Sequence, residues 1–363
     1  MTQTFRIGDV TIAGRVLTAP MSGVSDLPFR RAASRLGAPY VVTEMVACEA
    51  LAAGRPDVVR RAAVGEGLPL MVVQIAGREA HWMAKGAAIA EAAGADIIDL
   101  NMGCPAKEVT GGLSGSALMR NLDHAESLIR AAIGATGRPV TLKMRLGWDD
   151  ASRNAAELAL RAERCGAKAI TVHGRTRQQF YKGLPDWRAV AKVKAATRLP
   201  VIVNGNIVDE VSAREALRQS GADAVMIGRA GCGRPWIAGA VAQALHTGGA
   251  MAEPNLRRRT DIVLDHFYDS LRFYGDALGL KIFRKHLGWY VEGAPWPICA
   301  QARRVAKSRL CRLDDPREVE RALIALWLDE GPHDDQGRID RMGIGERLAD
   351  DRGASQPDQT VPA

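Results

Sequence analysis

The chain has 363 residues, of which 47% are hydrophobic and 25% charged, a composition typical of a globular protein rather than a disordered one. No run approaches the roughly 20 apolar residues that span a bilayer, and the first residues lack the apolar core of a signal peptide. The net charge of +8 favours an anionic partner.

The six cysteines are scattered along the chain and form no CxxC pair. This spacing predicts reduced thiols in the cytoplasm and argues against a zinc site. No HExxH motif or clustered ligand pattern supports another metal, and no GxSxG motif supports acyl transfer. We therefore expect a cytoplasmic protein that binds no metal and enters no membrane.

Eight short apolar segments predict β-strands, and they are continuous rather than alternating, which indicates burial on both faces. In chain order they are residues 15–21, 40–44, 70–75, 97–100, 139–144, 168–173, 199–204 and 222–227. Helical segments separate several of them, at residues 79–93, 152–165, 186–196 and 209–220. This alternation predicts a (β/α)8 TIM barrel over residues 1–252, with a small hairpin at residues 5–11 closing its floor. An open doubly wound sheet is the alternative, and it is disfavoured because no GxGxxG motif follows the first strand.

Beyond residue 252 no strand-like segment remains, and four helices are predicted at residues 257–273, 281–291, 300–310 and 316–328. We take residues 253–330 as a small all-helical domain and residues 331–363, rich in Gly, Asp, Gln and Pro, as a disordered tail. The middle of the helical domain is basic and interleaved with aromatic residues. This pattern indicates either a nucleic-acid surface or a solvated helix face over core aromatics. The basic residues of this stretch include Lys281, Arg284, Lys285, Arg303, Arg304 and Lys307.

Polar residues stand at or just past the ends of the predicted strands. They are Gln74, Asn101, Cys104, Lys143, His173, Asn204 and Arg229. In a barrel all of these ends converge on one mouth, so we expect a functional site there. The loops at residues 204–206 and 228–229 follow the last two strands, where barrels commonly hold a phosphate. For Cys104 the alternative is a small buried hydrophobic residue.

Taken together, these stretches resemble the tRNA-dihydrouridine synthases, most closely their bacterial B-type (nitrogen-regulation-like) branch. The matching motifs are APMSGVSD at 19–26, DLNMGCP at 99–105, LKMR at 142–145, VHGRTR at 172–177, VNGNI at 203–207 and MIGR at 226–229. Ser22 stands where alanine is common in the family and Asn206 where aspartate is common. Serine is still small enough for a ligand to approach the backbone closely, and asparagine still offers a polar contact.

The resemblance implies an FMN enzyme that reduces the C5=C6 bond of specific uridines in tRNA, with NADPH as the electron donor. It implies that hydride passes from the flavin to C6 and that Cys104 protonates C5, with Asn101 at the uracil edge. Lys143 and His173 are expected to stabilise the developing charge. The FMN contacts implied are Pro20, Met21, Ser22, Gln74, Lys143, His173, Asn204, Gly205, Asn206, Gly228 and Arg229.

We assign tRNA binding to the six basic residues of the helical domain and to Arg175 and Arg177, and we expect a monomer. Two alternatives remain. One is an FMN barrel that acts on a free pyrimidine, for which a basic helical domain has no use. The other is a non-catalytic RNA-binding barrel, which has no use for Cys104, Lys143 and the phosphate loops.

Overall fold

A computed structural model describes residues 4–63, 65, 67–294 and 300–328. Its strands are β1 (Phe5–Ile7), β2 (Val10–Ile12), β3 (Val16–Thr18), β4 (Val46–Ala47), β5 (Val72–Ala76), β6 (Ile97–Met102), β7 (Val140–Arg145), β8 (Ala169–His173), β9 (Val201–Asn204) and β10 (Ala224–Ile227). Its helices up to the end of the barrel are α1 (Leu27–Arg35), α2 (Cys48–Ala52), α3 (Pro56–Arg61), α4 (Ala80–Ala92), α5 (Lys107–Gly111), α6 (Leu122–Ile133), α7 (Ala155–Cys165), α8 (Trp187–Ala196), α9 (Glu210–Ser220) and α10 (Ile237–Thr247). The remaining helices are α11 (Leu256–Tyr274), α12 (Asp276–Gly293), α13 (Ala300–Leu310) and α14 (Pro316–Leu328), and 3-10 turns lie at Gly115–Arg120 and Arg229–Gly231.

Strands β3 to β10 form one eight-stranded sheet in the order β3-β10-β9-β8-β7-β6-β5-β4, and every paired neighbour is parallel. Helices pack around its outer face, so the predicted TIM barrel is confirmed. All carboxyl ends of these strands therefore open on the same mouth.

The second predicted strand, at residues 40–44, is wrong in its bounds. The regular strand at this position is β4, whereas Val42 makes only an isolated bridge to Val72. The side chain of Thr43 replaces a ladder bond, because its hydroxyl accepts the backbone N–H of Gln74 at 2.9 Å. The segment still joins the two ends of the sheet, since the N–H of Thr18 donates to the carbonyl of Tyr40 at 2.9 Å.

The β1–β2 hairpin packs its apolar side chains into the barrel floor, as predicted. Ile7 and Ile12 are 1% and 0% exposed, and they join a cluster with Val72 and Ile97 at the first residues of β5 and β6. A larger cluster lies between the strands and the surrounding helices. Burial of both strand faces explains the continuous apolar runs in the sequence.

Helices α11–α14 form a separate hydrophobic cluster beyond the barrel, and α11 packs against α1. At this junction the ring of Phe29 lies 6.0 Å from the His266 ring and 5.9 Å from the His286 ring. The predicted helices of this region are confirmed, with α12 beginning earlier than expected. The division at residue 252 stays a prediction, and residues 331–363 lie outside the described residues. Within the described ranges, none of the helices has the length and apolarity that crossing a bilayer requires.

Candidate active site

A cavity of about 700 Å³ opens at the carboxyl ends of the barrel strands. The structure brings all of the predicted catalytic and cofactor-binding residues to its wall. They are Pro20, Met21, Ser22, Gln74, Asn101, Cys104, Lys143, His173, Asn204, Gly205, Asn206, Gly228 and Arg229. Their convergence follows from the parallel sheet, which directs every strand end to one mouth.

A hydrogen-bonded chain of side chains supports the cavity from below. Asp99 accepts from the Thr141 hydroxyl at 2.6 Å and from the Gln74 amide at 2.7 Å. The Gln74 carbonyl oxygen accepts from the Asn101 amide at 2.8 Å, and the Asn101 oxygen accepts the backbone N–H of Cys104 at 3.0 Å. Burial raises the pKa of Asp99, and the two hydrogen bonds oppose this shift. The chain fixes the rotamers of both amides and the backbone that carries the thiol.

Sequence reasoning missed Asp99 and Thr141 as members of this chain. The available signal was a single carboxylate within the apolar run at residues 97–100. A buried charge in such a strand needs hydrogen-bond partners from neighbouring strands, and β5 and β7 supply them.

Lys143 projects from β7, and its ammonium donates to the Asn204 side-chain oxygen at 3.2 Å. The pKa of Lys143 is lowered from 10.5 to about 8, first by desolvation and then by the charge of Arg145, while the Asp99 carboxylate opposes the shift. The Asn204 amide in turn donates to the carbonyl of Met226 at 2.7 Å, which fixes its orientation. Lys143 is therefore a cation at neutral pH that can lose its proton slightly above it.

His173, at the end of β8, is a neutral imidazole. Desolvation lowers the pKa of His173 well below its usual value, and the charges of Arg145 and Lys143 act in the same direction. Its Nδ1 atom is buried and has no hydrogen-bond partner within the described part of the chain. A neutral ring of this kind can offer one donor and one acceptor to a ligand in the cavity.

The loop after β9 has a backbone that favours a close approach to a ligand. Gly205 has φ of +122°, and a Cβ there would meet the Pro185 Cβ at 3.0 Å, so only glycine fits. The Gly205 carbonyl accepts from the indole of Trp187 at 2.9 Å, and the Asn206 oxygen accepts from Arg175 at 3.2 Å. These bonds hold the predicted phosphate loop in one conformation.

Two further residues of the cavity wall, Arg145 and Tyr181, were missed. Arg145 is 2% exposed, and its guanidinium donates to the carbonyl of Gly103 at 2.8 Å and to that of Phe180 at 2.8 Å. It thereby ties the loop after β6 to the loop after β8. The guanidinium groups of Arg145 and Arg229 lie 5.5 and 4.5 Å from the centre of the Tyr181 ring. Only Arg145 left a signal in the sequence, two residues after Lys143 on the same strand.

Arg175 and Arg177 hold the loop after β8. Arg175 is 1% exposed, and its guanidinium donates to the carbonyl of Gly183 at 2.5 Å as well as to Asn206. Arg177 lies 4.7 Å from the Trp148 ring centre and donates to the Thr110 hydroxyl at 3.3 Å. RNA contact by these residues stays a prediction, and the burial of Arg175 favours a loop-holding role for it.

The predicted RNA-binding residues of the helical segment lie on α12 and α13, and they differ in their partners. Arg284 pairs with Asp314 at 2.6 Å, and Lys307 pairs with Glu292 at 2.6 Å. Lys281, Lys285 and Arg304 are exposed. The surface is thus basic but partly compensated. Glu292 is the one acid within the basic stretch of the sequence, whereas Asp314 follows that stretch and was not expected to pair with it.

One group of potential metal ligands occurs in the described part of the chain, at the junction of α1 with α11 and α12. It consists of Asp26, His266 and His286, all buried. The Asp26 carboxylate already accepts the N–H of Phe29 at 3.1 Å and the hydroxyl of Tyr274 at 3.1 Å. The group lies outside the cavity wall, so it does not contribute to the site.

The chain is similar to known proteins over most of its length. The sequence profile of the family described as dihydrouridine synthase (Dus) matches residues 17–324. A probable tRNA-dihydrouridine synthase of Rhodobacter capsulatus is 52% identical over 303 residues, 83% of this chain and 93% of the relative. The tRNA-dihydrouridine synthase B of Xanthomonas campestris pv. campestris is 46% identical over 291 residues, 80% of this chain and 87% of the relative.

Among solved structures, a 2-naphthoyl-CoA reductase complex matches with a TM-score of 0.54 at 12% sequence identity. The match covers 68% of this chain and 52% of that structure, so this chain spans about half its length. At this identity the likeness concerns the barrel fold alone.

Proposed function

Because the chain belongs to the dihydrouridine synthase family, we propose that it is an FMN-dependent enzyme that reduces the C5=C6 bond of specific uridines in tRNA, with NADPH as electron donor. The observation that supports this proposal most strongly is that Cys104, Asn101, Lys143 and the two loops after β9 and β10 line the same cavity. We further propose that the protein acts as a cytoplasmic monomer.

The residues present fit FMN. The cavity volume of about 700 Å³ lies within the range of sites for small molecules and cofactors. The unpartnered Nδ1 of His173 offers a buried hydrogen-bonding group, and Lys143 offers a cation for an electron-rich ring edge. The glycine backbone at Gly205 and the guanidinium of Arg229 suit a phosphate at the position where barrels commonly bind one.

When bound, FMN would supply the hydride that the uracil ring receives at C6. Cys104 would hold the proton for C5, and its backbone is fixed on both sides. Its N–H donates to Asn101, and its carbonyl accepts from the hydroxyl of Ser116 at 2.8 Å and from the backbone N–H of Ser116 at 3.1 Å. A thiol that carries its proton can act as a general acid.

Asn101 would hold the uracil edge through the donor that it retains. Its amide group has two N–H bonds, and one of them donates to Gln74. Its oxygen already accepts the N–H groups of Gly103 and Cys104, at 3.3 and 3.0 Å. The second N–H is therefore the group that suits a uracil carbonyl, and Asp99 holds the whole chain in this orientation through Gln74.

Replacing Arg229 with alanine is expected to weaken FMN binding by about 10- to 150-fold. The change removes a charge-assisted hydrogen bond to phosphate, worth roughly 1.5–3 kcal/mol. Equilibrium titration of the apoprotein with FMN measures the effect. The matched control is Arg198→Ala, an exposed arginine before β9 at the opposite end of the barrel. Equal FMN affinity in both variants would contradict the phosphate assignment.

Replacing Arg303, Arg304 and Lys307 together with alanine is expected to weaken tRNA binding and to flatten its dependence on salt. Each lost phosphate contact reduces the slope of log K against log salt by about one unit. Reduction of the flavin by NADPH should be unchanged. Replacing Arg130 on α6, Arg138 in the loop before β7 and Lys192 on α8, all exposed and outside the cavity wall, provides a control of equal charge. A salt slope equal to that of the wild type would place the tRNA surface elsewhere.

A further inference from the structure

Helix α12 carries two lysines and a tryptophan on a single face that leads to the cavity. Lys281, Lys285 and Trp289 are spaced four residues apart, so they lie above one another on the helix. Lys281 and Lys285 are exposed and Trp289 is half-buried, whereas Phe283 and Leu287 are 0% exposed on the other side. We name these three residues the α12 stripe.

The stripe ends inside the catalytic cavity. Trp289 lines the cavity, and it packs against the barrel cluster rather than the helical one. Its backbone lies directly on Gly233, just after the loop that carries Arg229, since a Cβ there would meet the Trp289 carbonyl oxygen at 2.7 Å. The His286 ring holds the indole edge-on, with centroids 5.4 Å apart and planes at 81°. The indole is thus a fixed part of the cavity wall.

Lys285 lies at the entrance to this wall. Its ammonium group lies so close to Gly23 that a Cβ at that position would collide with it. Gly23 follows Met21 and Ser22, which line the cavity, and its N–H donates to the Glu44 carboxylate. A cation therefore stands at the rim, one helical turn before the indole.

We propose that Trp289 is a substrate-contacting residue whose indole stacks on a tRNA base next to the reduced uridine, while Lys281 and Lys285 hold phosphates of the same strand. This inference rests on the proposed function. A uridine that enters the cavity leaves its stack, and its neighbour loses a stacking partner. A basic track that ends in an aromatic face is the arrangement that binds single-stranded nucleic acid.

The rival occupant of the indole face is the flavin ring. The polar groups that suit a flavin, Gln74, Lys143 and His173, all come from the strand ends of the barrel. Trp289 instead comes from the helical segment and is aligned with two exposed lysines. Its position continues the basic surface into the cavity, which favours RNA. The helical segment would then form part of the catalytic site in addition to binding the rest of the tRNA.

The test compares Trp289→Ala with Trp289→Phe, and uses Trp82→Ala, a half-buried tryptophan on α4 outside the cavity wall, as the control. We expect Trp289→Ala to raise the KM for tRNA by about 5- to 150-fold, the measured range for loss of one base–aromatic stack. Trp289→Phe should recover most of the loss. FMN affinity and the rate of flavin reduction by NADPH should stay within about twofold of the wild type. Lys285→Gln should lower the salt slope of tRNA binding by about one unit without changing FMN affinity.

Two outcomes would overturn the inference. Weaker FMN binding by Trp289→Ala with an unchanged KM for tRNA would show that the indole packs on the cofactor. An unchanged KM for tRNA together with an unchanged FMN affinity would show that the indole lines the cavity but contacts neither ligand. Both differ from a failure of the proposed function, in which the wild-type protein itself forms no dihydrouridine in tRNA.

Discussion

Replacing Cys104 with alanine is expected to slow the reoxidation of reduced flavin by tRNA by about 10²- to 10⁴-fold, the usual contribution of a positioned general acid. The backbone on either side of the thiol is fixed by Asn101 and Ser116, so the alanine variant should keep the shape of the cavity. FMN binding and flavin reduction by NADPH should therefore be retained. Cys104→Ser should also be slow, because an alcohol is a much weaker acid than a thiol.

Anaerobic stopped-flow absorbance of reduced enzyme mixed with unmodified tRNA measures this rate. Cys165→Ala is the matched control, since that thiol is half-buried on α7 and lies outside the cavity wall. Reoxidation of Cys104→Ala at a rate close to that of the wild type, with dihydrouridine formed, would exclude Cys104 as the acid. Lys143 or His173 would then have to supply the proton.

Replacing Lys143 with methionine is expected to lower the rate of uridine reduction by about 10²- to 10³-fold. The ammonium is a fixed cation in a desolvated position, where it stabilises the charge that develops on the uracil ring and its carbonyl oxygen. Lys143→Arg keeps a cation on β7 and should retain more activity than Lys143→Met. Equal losses in the two variants would mean that shape, and not charge, makes Lys143 necessary.

The same residue predicts a decline of activity at alkaline pH. Because desolvation lowers the pKa of Lys143 to about 8, its ammonium is present below that pH and is lost as the pH rises through it. We expect single-turnover rates of the wild type to fall by up to tenfold per pH unit above about 8. Arginine does not deprotonate in this range, so Lys143→Arg should lose the part of the decline that Lys143 causes, and its rates should fall less steeply than those of the wild type. A decline of the same shape in both proteins would assign it to another group.

The barrel and the members of its mouth follow from local signals in the sequence. A buried parallel strand is a continuous apolar run, and Lys143, His173 and Asn204 break such runs at their carboxyl ends. Because parallel strands open at one mouth, convergence of these residues could be predicted without knowing the strand order. The hairpin below the barrel was predictable for a different reason, since the apolar residues between Phe5 and Thr11 alternate with polar ones around Gly8 and Asp9.

The remaining features depend on contacts between distant segments. The Thr43 hydroxyl takes a ladder bond from β5, and this shifts the regular part of the second strand to β4. Asp99 is acceptable in β6 only because β5 and β7 place donors on both of its oxygens. From the sequence alone, Arg175 is a cation available for RNA. In the fold it is buried, and its guanidinium donates to the carbonyl of Gly183. No local sequence pattern shows which distant segment each of these side chains contacts.

The decisive measurement is dihydrouridine formation by the purified protein. The protein would be incubated anaerobically with FMN, NADPH and an unmodified tRNA transcript, with uracil and orotate as parallel substrates. Dihydrouridine would be counted by mass spectrometry of the digested RNA, and NADPH oxidation by absorbance. We expect one dihydrouridine in the tRNA for each NADPH oxidised, and no turnover of the free pyrimidines. The proposed function would be contradicted if a free pyrimidine were turned over while the tRNA stayed unmodified. It would also be contradicted if the protein bound tRNA without reduction of the flavin.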